Sequence, residues 1–424
     1  MLSKRGAAAS GGDLAGPPGR SATGGWWPVA AVLALVLGSD YEWRLRADDQ
    51  TVSGNADPFV LLEIGLYALV GCFLFLRFAP ATRLRRAELA VTFLGYAYAI
   101  VLAGSALYSP YPELALVRGA QVVVLLALSR SIARHTGPGV PHRIAHAFAV
   151  LISGSVIFGA LVPFPRLPTQ PDRFTWLYVH PVQAGEMLAI AVVVLFGYVL
   201  THGLERAGPR WPLPLYLGLL GICVAGLIGT KTRGAVAGAV VGVLVVLWTR
   251  WRGRRKIEVG LVSAVALAAI ALVGSSAIES FFTRGEPAEQ LSTLNSRTDL
   301  WGLAFEFFAQ QPLYGYGLSA SRGLFLESMG LGGAHNALVN LLVDTGLLGA
   351  VVWLALLTVL GVTALRLSTT SPHLPVERTL VLAVLLGMAA NSMFTEGLGA
   401  PANVACTWLF VLLAWVEIAR REPA

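Results

Sequence analysis

The chain has 424 residues, of which 55% are hydrophobic and only 13% charged, and it carries a formal net charge of +7. Soluble proteins hold about 25% charged residues, and a mean hydropathy of +0.67 is more apolar surface than a globular core can absorb, so soluble, disordered, collagen-like and disulfide-stapled classes are excluded. The excess of lysine and arginine is not gathered into one basic domain but alternates with long apolar runs, which is a mark of membrane topology rather than of nucleic-acid binding.

Residues 1–25, rich in Gly, Ala, Ser and Pro with Lys4, Arg5 and Arg20, predict a disordered cytoplasmic tail, with a cleaved signal peptide as the alternative. Twelve stretches then approach the roughly 20 mostly apolar residues that a span needs: about 26–43, 58–79, 87–107, 114–134, 143–163, 181–202, 212–230, 234–251, 257–277, 345–366, 379–398 and 402–419. The expected fold is all-α: a polytopic membrane protein of about 12 transmembrane helices. Nine of them lie in 26–277 and three in 335–419, with one long outward loop at 278–334. Placing the N-terminus in the cytoplasm puts every short basic loop inside, as the positive-inside rule requires, and both termini inside. Cys72, Cys223 and Cys406 all fall in apolar runs and predict small buried hydrophobes. Loops longer than about 15 residues are usually functional or disordered, and the aromatic core of 278–334, FEFFAQQPLYGYG, predicts short helices along the outer surface.

Most of the outward cations fall in three places, the 164–180 loop with Arg173, the 231–233 turn with Lys231 and Arg233, and the long loop with Arg284, Arg297 and Arg322. Topology gives no reason for them there, and guanidinium is a natural ligand for phosphate oxygens because its planar fork donates in pairs. Arg233 lies between two spans, where leaving arginine near hydrocarbon costs at least about 2.5–3.5 kcal/mol. It should therefore face a polar cavity with an acidic partner or anionic ligand, unless it snorkels to headgroups. Arg118, inside the fourth span, has the same logic. His335 sits where the long loop re-enters the membrane, and imidazole is the side chain best suited to act as a base near neutral pH; capping the next helix is the plainer role. Asn336, Asn340 and Asp344 share one helix face, and Glu186 with Gln183 and Glu396 with Ser392 are further polar positions at or within spans. Catalysis, pairing with the arginines and lining an acceptor groove are all open to them. Gly315-Tyr316-Gly317-Leu318-Ser319-Ala320 fits a G-x-G-x-x-A pattern, but no strand precedes it and nucleotide binding does not follow. Gly234, Gly238 and Gly242 form a small-residue stripe, the sign of close helix packing.

Arg297 followed by Trp301, then Pro312, Gly315 and Gly317, then His335-Asn336 with Gly346 and Gly349, resembles in order, spacing and membrane side the signature domain of O-antigen ligases and O-antigen polymerases. Ser296 stands where that family often has glycine. Arg173 through His180 and Pro181 resembles the family's R-x-x-G-x-x-x-H-P-N element, with Trp176 for the glycine and Val182 for the asparagine. Lys231-Thr232-Arg233-Gly234-Ala235 resembles its S-R-G-A turn, with Thr232 for serine. The signature region is about 230–350, and the wider resemblance covers about 105–350.

The resemblance implies a membrane glycosyltransferase in the inner membrane of a bacterium, with its active site facing the periplasm or outside. No nucleotide sugar is supplied there, so the expected donor is a glycan on a polyprenyl diphosphate carrier, and the acceptor a hydroxyl of a glycan, lipid or protein. His335 is the expected base, with Arg297 beside it in the catalytic set. Arg173, Arg233 and Arg297 are expected to hold the diphosphate, supported by His180, Lys231, Asn336, Asp344 and Arg118. Inversion at the anomeric carbon is expected. So is a site with no metal and no cofactor, and no nucleic-acid partner. The alternative from another class is a polysaccharide or lipid-linked sugar transporter, which would need polar residues through the full depth of the bundle.

Overall fold

The computed structural model describes residues 25–44, 57–78, 89–162, 164, 172–202, 209–251, 253–255, 257–258, 260–262, 294–330, 332–367, 374–399 and 403–421. The main helices are α1 (Trp27–Ser39), α2 (Pro58–Arg77), α3 (Leu89–Ser105), α4 (Pro112–His135), α5 (Gly139–Leu161), α6 (Pro181–Thr201), α7 (Leu213–Gly229), α8 (Arg233–Arg250), α9 (Leu294–Gln310), α10 (Ala320–Met329), α11 (Ala337–Leu365), α12 (Leu374–Asn391) and α13 (Val404–Ala419). Seven helices are long and apolar enough to cross a membrane, and α1, α7 and α13 are shorter apolar helices. The chain is a polytopic helical membrane protein, with no strand among the described residues. The expected span at 257–277 lies mostly outside the described residues, as does the expected tail. Of the long loop, the described part carries α9 and α10.

Helix starts follow local chemistry. Asp57 accepts from the amides of Phe59 and Val60 before α2, His180 from Val182 before α6, Asn336 from Leu338 and Val339 before α11, and Asn403 from Cys406 before α13. Such caps satisfy amides that the first turn leaves without partners. The cap at Asn336 starts α11 about two turns before the expected 345, because Asn340 and Asp344 are polar by composition but turn inward and are buried.

α13 is buried along its whole length, and α6 along most of it. Around them α8 and α12 approach most closely: a Cβ at Gly238 would lie 2.7 Å from the Gly387 carbonyl, and one at Gly242 3.0 Å from that of Ala383. The predicted glycine stripe is therefore a backbone-to-backbone contact of the kind that drives helix association in lipid. α2 lies at the rim, mostly exposed, and Cys72 on it is exposed, against the expectation of burial; Cys223 and Cys406 are buried. An apolar helix at the edge of a bundle turns its hydrophobes to lipid, so an apolar run alone does not decide which cysteine is packed.

The two ends of the bundle differ. At one, Arg130 is buried and pairs with Glu417 (Nη1–Oε1 2.5 Å), beside Thr92, while His142 Nε2 lies 2.5 Å from Glu377, which also accepts from Trp415. At the other end meet the 105–111 corner, the 172–180 loop, the 230–232 turn, α10, the start of α11 and the 392–399 turn. They are stitched by bonds such as Ser109 Oγ to the Leu318 carbonyl (3.1 Å), Phe174 N to Gly229 O (2.8 Å) and Ala337 N to Ser392 O (3.0 Å).

Candidate active site at one end of the bundle

α11 is broken at Gly346, whose φ of +61° and ψ of −158° are not helical. The Pro312–Gly317 turn occupies the break. Tyr316 N donates to Val343 O (2.9 Å), Gly317 N to Asp344 O (2.7 Å), Leu347 N to Pro312 O (2.8 Å) and Leu348 N to Leu313 O (3.2 Å). The turn thus supplies partners to backbone groups that the interrupted helix cannot pair, an accounting that is obligatory away from water. A Cβ at Gly346 would lie 2.5 Å from the Leu313 carbonyl carbon, which is why the turn can enter only beside glycine. The break also turns Asp344 toward the start of α10, where its carboxylate accepts from Ser319 N (3.1 Å) and Ser321 N (2.6 Å).

His335 is held by its neighbours on both sides. Ala334 N donates to Asn340 Oδ1 (2.8 Å), the Ala334 carbonyl accepts from Trp301 Nε1 (3.1 Å), and Asn336 caps α11 while donating to Met393 O (3.3 Å). Between them His335 takes φ of +52°, a left-handed conformation that costs a residue other than glycine roughly 1–3 kcal/mol. Its side chain is half exposed, with Nδ1 4.0 Å from Glu396 Oε1. That distance is ion-pair range but beyond a direct hydrogen bond. The carboxylate can reach this position because Gly333 has no Cβ, which would fall 2.0 Å from Glu396 Oε1.

Glu396 also walls a polar cavity of about 50 Å³, with Arg118 from α4, Ser321 and Arg322 from α10, and Asn340 and Asp344 from α11. One ordered water needs roughly 10–15 Å³ on this measure, so the space suits a few waters or one polar group of a substrate rather than a whole sugar. Arg118 Nη1 donates to Glu63 Oε1 (3.1 Å) on α2 and to Gln121 Oε1 (3.1 Å), so its charge is compensated from behind. A much smaller cavity, about 10 Å³, lies deeper in the bundle beside Glu186, which accepts from Asn391 Nδ2 (3.1 Å).

The remaining candidates surround this end. Arg173 is buried, with Nε donating to the Thr230 carbonyl (2.7 Å) and Nη2 to Thr232 Oγ1 (2.8 Å), and Thr232 in turn donates to Pro181 O (2.9 Å). These bonds turn the Arg173 guanidinium toward the 230–232 turn and join that turn to the start of α6, where His180 serves as cap. Lys231 in the same turn has a φ of +49° and is part-exposed. Arg233 opens α8, is part-buried, and its Nε finds no hydrogen-bond partner among the described residues. Gly234 beside it packs on Phe394, two residues before Glu396, so the 392–399 turn lies between Arg233 and His335. Arg297 lies in the first turn of α9, one turn before Trp301, whose indole binds the His335 loop; its side chain is outside the described residues.

Sequence spacing alone did not join Glu396 to His335, because no local pattern links a glutamate on the 392–399 turn to a histidine ahead of α11. Nor did it distinguish Arg322 from other outward cations. The available signal for Arg322 was its position shortly after the Pro312–Gly317 turn.

Residues 218–354, about a third of the chain, match the family described as O-antigen ligase. The match runs from α7 to within α11 and includes Arg233, Arg297, Arg322, His335 and Asp344, while Arg118, Arg173, His180 and Glu396 lie outside it. No curated protein matches the chain.

Proposed function

We propose that this chain, a member of the O-antigen ligase/polymerase superfamily by its residues 218–354, moves a glycan from a polyprenyl diphosphate carrier to an acceptor hydroxyl on the outer side of a bacterial inner membrane. The observation that carries the reading is the meeting of His335 and Glu396 at the edge of an arginine-walled cavity, at the end where the family's motifs converge. His335 takes the proton of the acceptor hydroxyl as that oxygen attacks the anomeric carbon. The bond from that carbon to the phosphate oxygen breaks, and the diphosphate leaves with the electron pair, still attached to its lipid. Direct displacement inverts the carbon. Glu396 orients the imidazole and stabilises the imidazolium that forms, an alignment that commonly tightens only when substrate is bound.

Arg233 and Arg297 hold the diphosphate and stabilise the charge that develops on it. Arg173 enters through the turn it braces, fixing where Arg233 stands. His180 and Lys231 complete that corner, Asn336 holds the backbone of His335, and Asp344 with Arg118 builds the cavity. No step calls on a metal or cofactor.

Deleting the gene and resolving cell-surface glycans by electrophoresis tests the reading. Loss of long chains with single repeats retained identifies a polymerase, and intact lipid-linked polymer without its final acceptor identifies a ligase. An unchanged glycan profile sinks the proposal.

A further inference from the structure

Four ionisable side chains wall the cavity, and three of them are answered within the protein. Arg118 has Glu63, Asp344 has two backbone amides, and Glu396 has His335. Arg322 has nothing comparable: it makes no hydrogen bond or ion pair among the described residues, and its Nε is sealed from solvent. The side chain is part-buried, and its terminal nitrogens, unlike Nε, are not sealed, so the guanidinium keeps donors open to a ligand at the cavity wall.

Its position is nonetheless closely fixed. Asp344 grips the start of α10 one residue to either side of Ala320, through Ser319 and Ser321. On the other side the Tyr111 ring lies against Gly323 and its hydroxyl donates to Glu327 Oε1 (2.5 Å). Burial and the neighbouring Glu327 carboxylate push the Tyr111 hydroxyl up to about 12, so it stays a donor at any working pH. α10 is therefore clamped from two directions, and the residue between the clamps is an arginine that makes no hydrogen bond or ion pair among the described residues.

We propose that Arg322 is a further substrate-binding residue, receiving inside this cavity the phosphate of the donor nearest the transferred sugar. The inference rests on the glycosyl-transfer reading above. In a displacement, the attacking and leaving oxygens lie on opposite sides of one carbon, a few ångströms apart. The phosphate next to the sugar must then come close to the base, and Glu396 joins His335 to the cavity that Arg322 walls. Arg233 and Arg297 would engage the diphosphate from outside, and Arg322 from within the wall.

The test uses the full chain in lipid nanodiscs, with a polyprenyl diphosphate lacking its glycan as the probe. Arg322→Gln should weaken its binding roughly 10- to 100-fold, the range expected for losing hydrogen bonds to a charged group. Because no internal partner is lost, the thermal midpoint of the unliganded variant should stay unchanged or rise. Arg322→Lys should bind with intermediate affinity, since it keeps the charge but not the paired donors. Wild-type affinity in Arg322→Gln overturns the proposal; should that variant not fold, wild-type affinity in Arg322→Lys does so. A raised KM for the acceptor with donor affinity unchanged would assign Arg322 to an anionic acceptor group and overturn the donor assignment. If the wild-type chain itself fails to bind the probe, the glycosyl-transfer reading falls first, a result separate from equal binding by wild type and variant.

Discussion

Asp344 offers the clearest separation between building the site and working in it. Its carboxylate is buried and accepts two backbone N–H bonds from the start of α10. Asp344→Ala leaves both amides without a partner, and a buried amide left unpaired costs about 1–3 kcal/mol. The adjoining cavity of about 50 Å³ can admit a water to one of them, so the expected net loss is about 2–4 kcal/mol. Asp344→Asn keeps one acceptor and should lose about 1–2 kcal/mol by the same accounting. Thermal midpoints of detergent-extracted protein should rank wild type above Asn above Ala. Limited proteolysis should open the 311–330 segment in the same order, because α10 is the element released. Turnover per folded molecule should fall less in Asn than in Ala. An alanine variant as stable as wild type would refute the anchoring role. A fully stable asparagine variant without turnover would make the carboxylate a participant in proton transfer.

Three further outcomes are expected. His335→Ala and His335→Gln should each lose about 10²–10⁴ in turnover, the usual worth of a positioned base, while donor binding persists; normal turnover in a folded variant removes His335 from the chemistry. Arg233→Ala and Arg297→Ala should weaken donor binding, with the thermal stability of Arg233→Ala little changed and lysine restoring only part of the binding, whereas Arg173→Ala should lower the thermal midpoint, because it strips partners from the Thr230 carbonyl and Thr232 hydroxyl. Full activity in both the Arg233 and Arg297 alanine variants would refute diphosphate binding by this pair. Cysteines introduced at positions 175 and 290 should react with an impermeant thiol reagent in intact spheroplasts and one at 254 should not; the reverse pattern would invert the orientation and remove the site from the outer face.

What the sequence made legible follows from which forces are local. Apolar runs and basic loops locate spans because hydrophobicity and charge act residue by residue, and Asn336 announces a helix start because a cap involves only the next few amides. Pairings across the bundle are a different matter. Arg118 and Glu63 stand on different helices, as do Arg130 and Glu417, and each pair was visible only as isolated charges in or near apolar runs. Arg130, near the end of an apolar run where a loop charge would be expected, is buried within the bundle. Arg173 was legible as a cation with no topological reason to be outside, but the carbonyl and hydroxyl it binds belong to a turn more than fifty residues later. A guanidinium aimed at phosphate and one aimed at a carbonyl look alike in sequence.

The helix break explains why motif residues so far apart behave as one unit. Pro312 to Gly317 cannot hold its conformation alone, since its amides and carbonyls are completed by Val343, Asp344, Leu347 and Leu348. The break in α11 would equally leave those groups unpaired without the turn. Each half is thus the other's hydrogen-bond partner, and Gly346 is the position where no side chain can intervene. From this joint the Asp344 side chain reaches toward α10 and fixes Arg322, while Asn340, one turn earlier on the same face, fixes the backbone ahead of His335. The proposed base and the proposed phosphate ligand are therefore set by residues on successive turns of a single helix. Their separation thus depends on the pitch of α11, one turn of which carries Asn340 to Asp344.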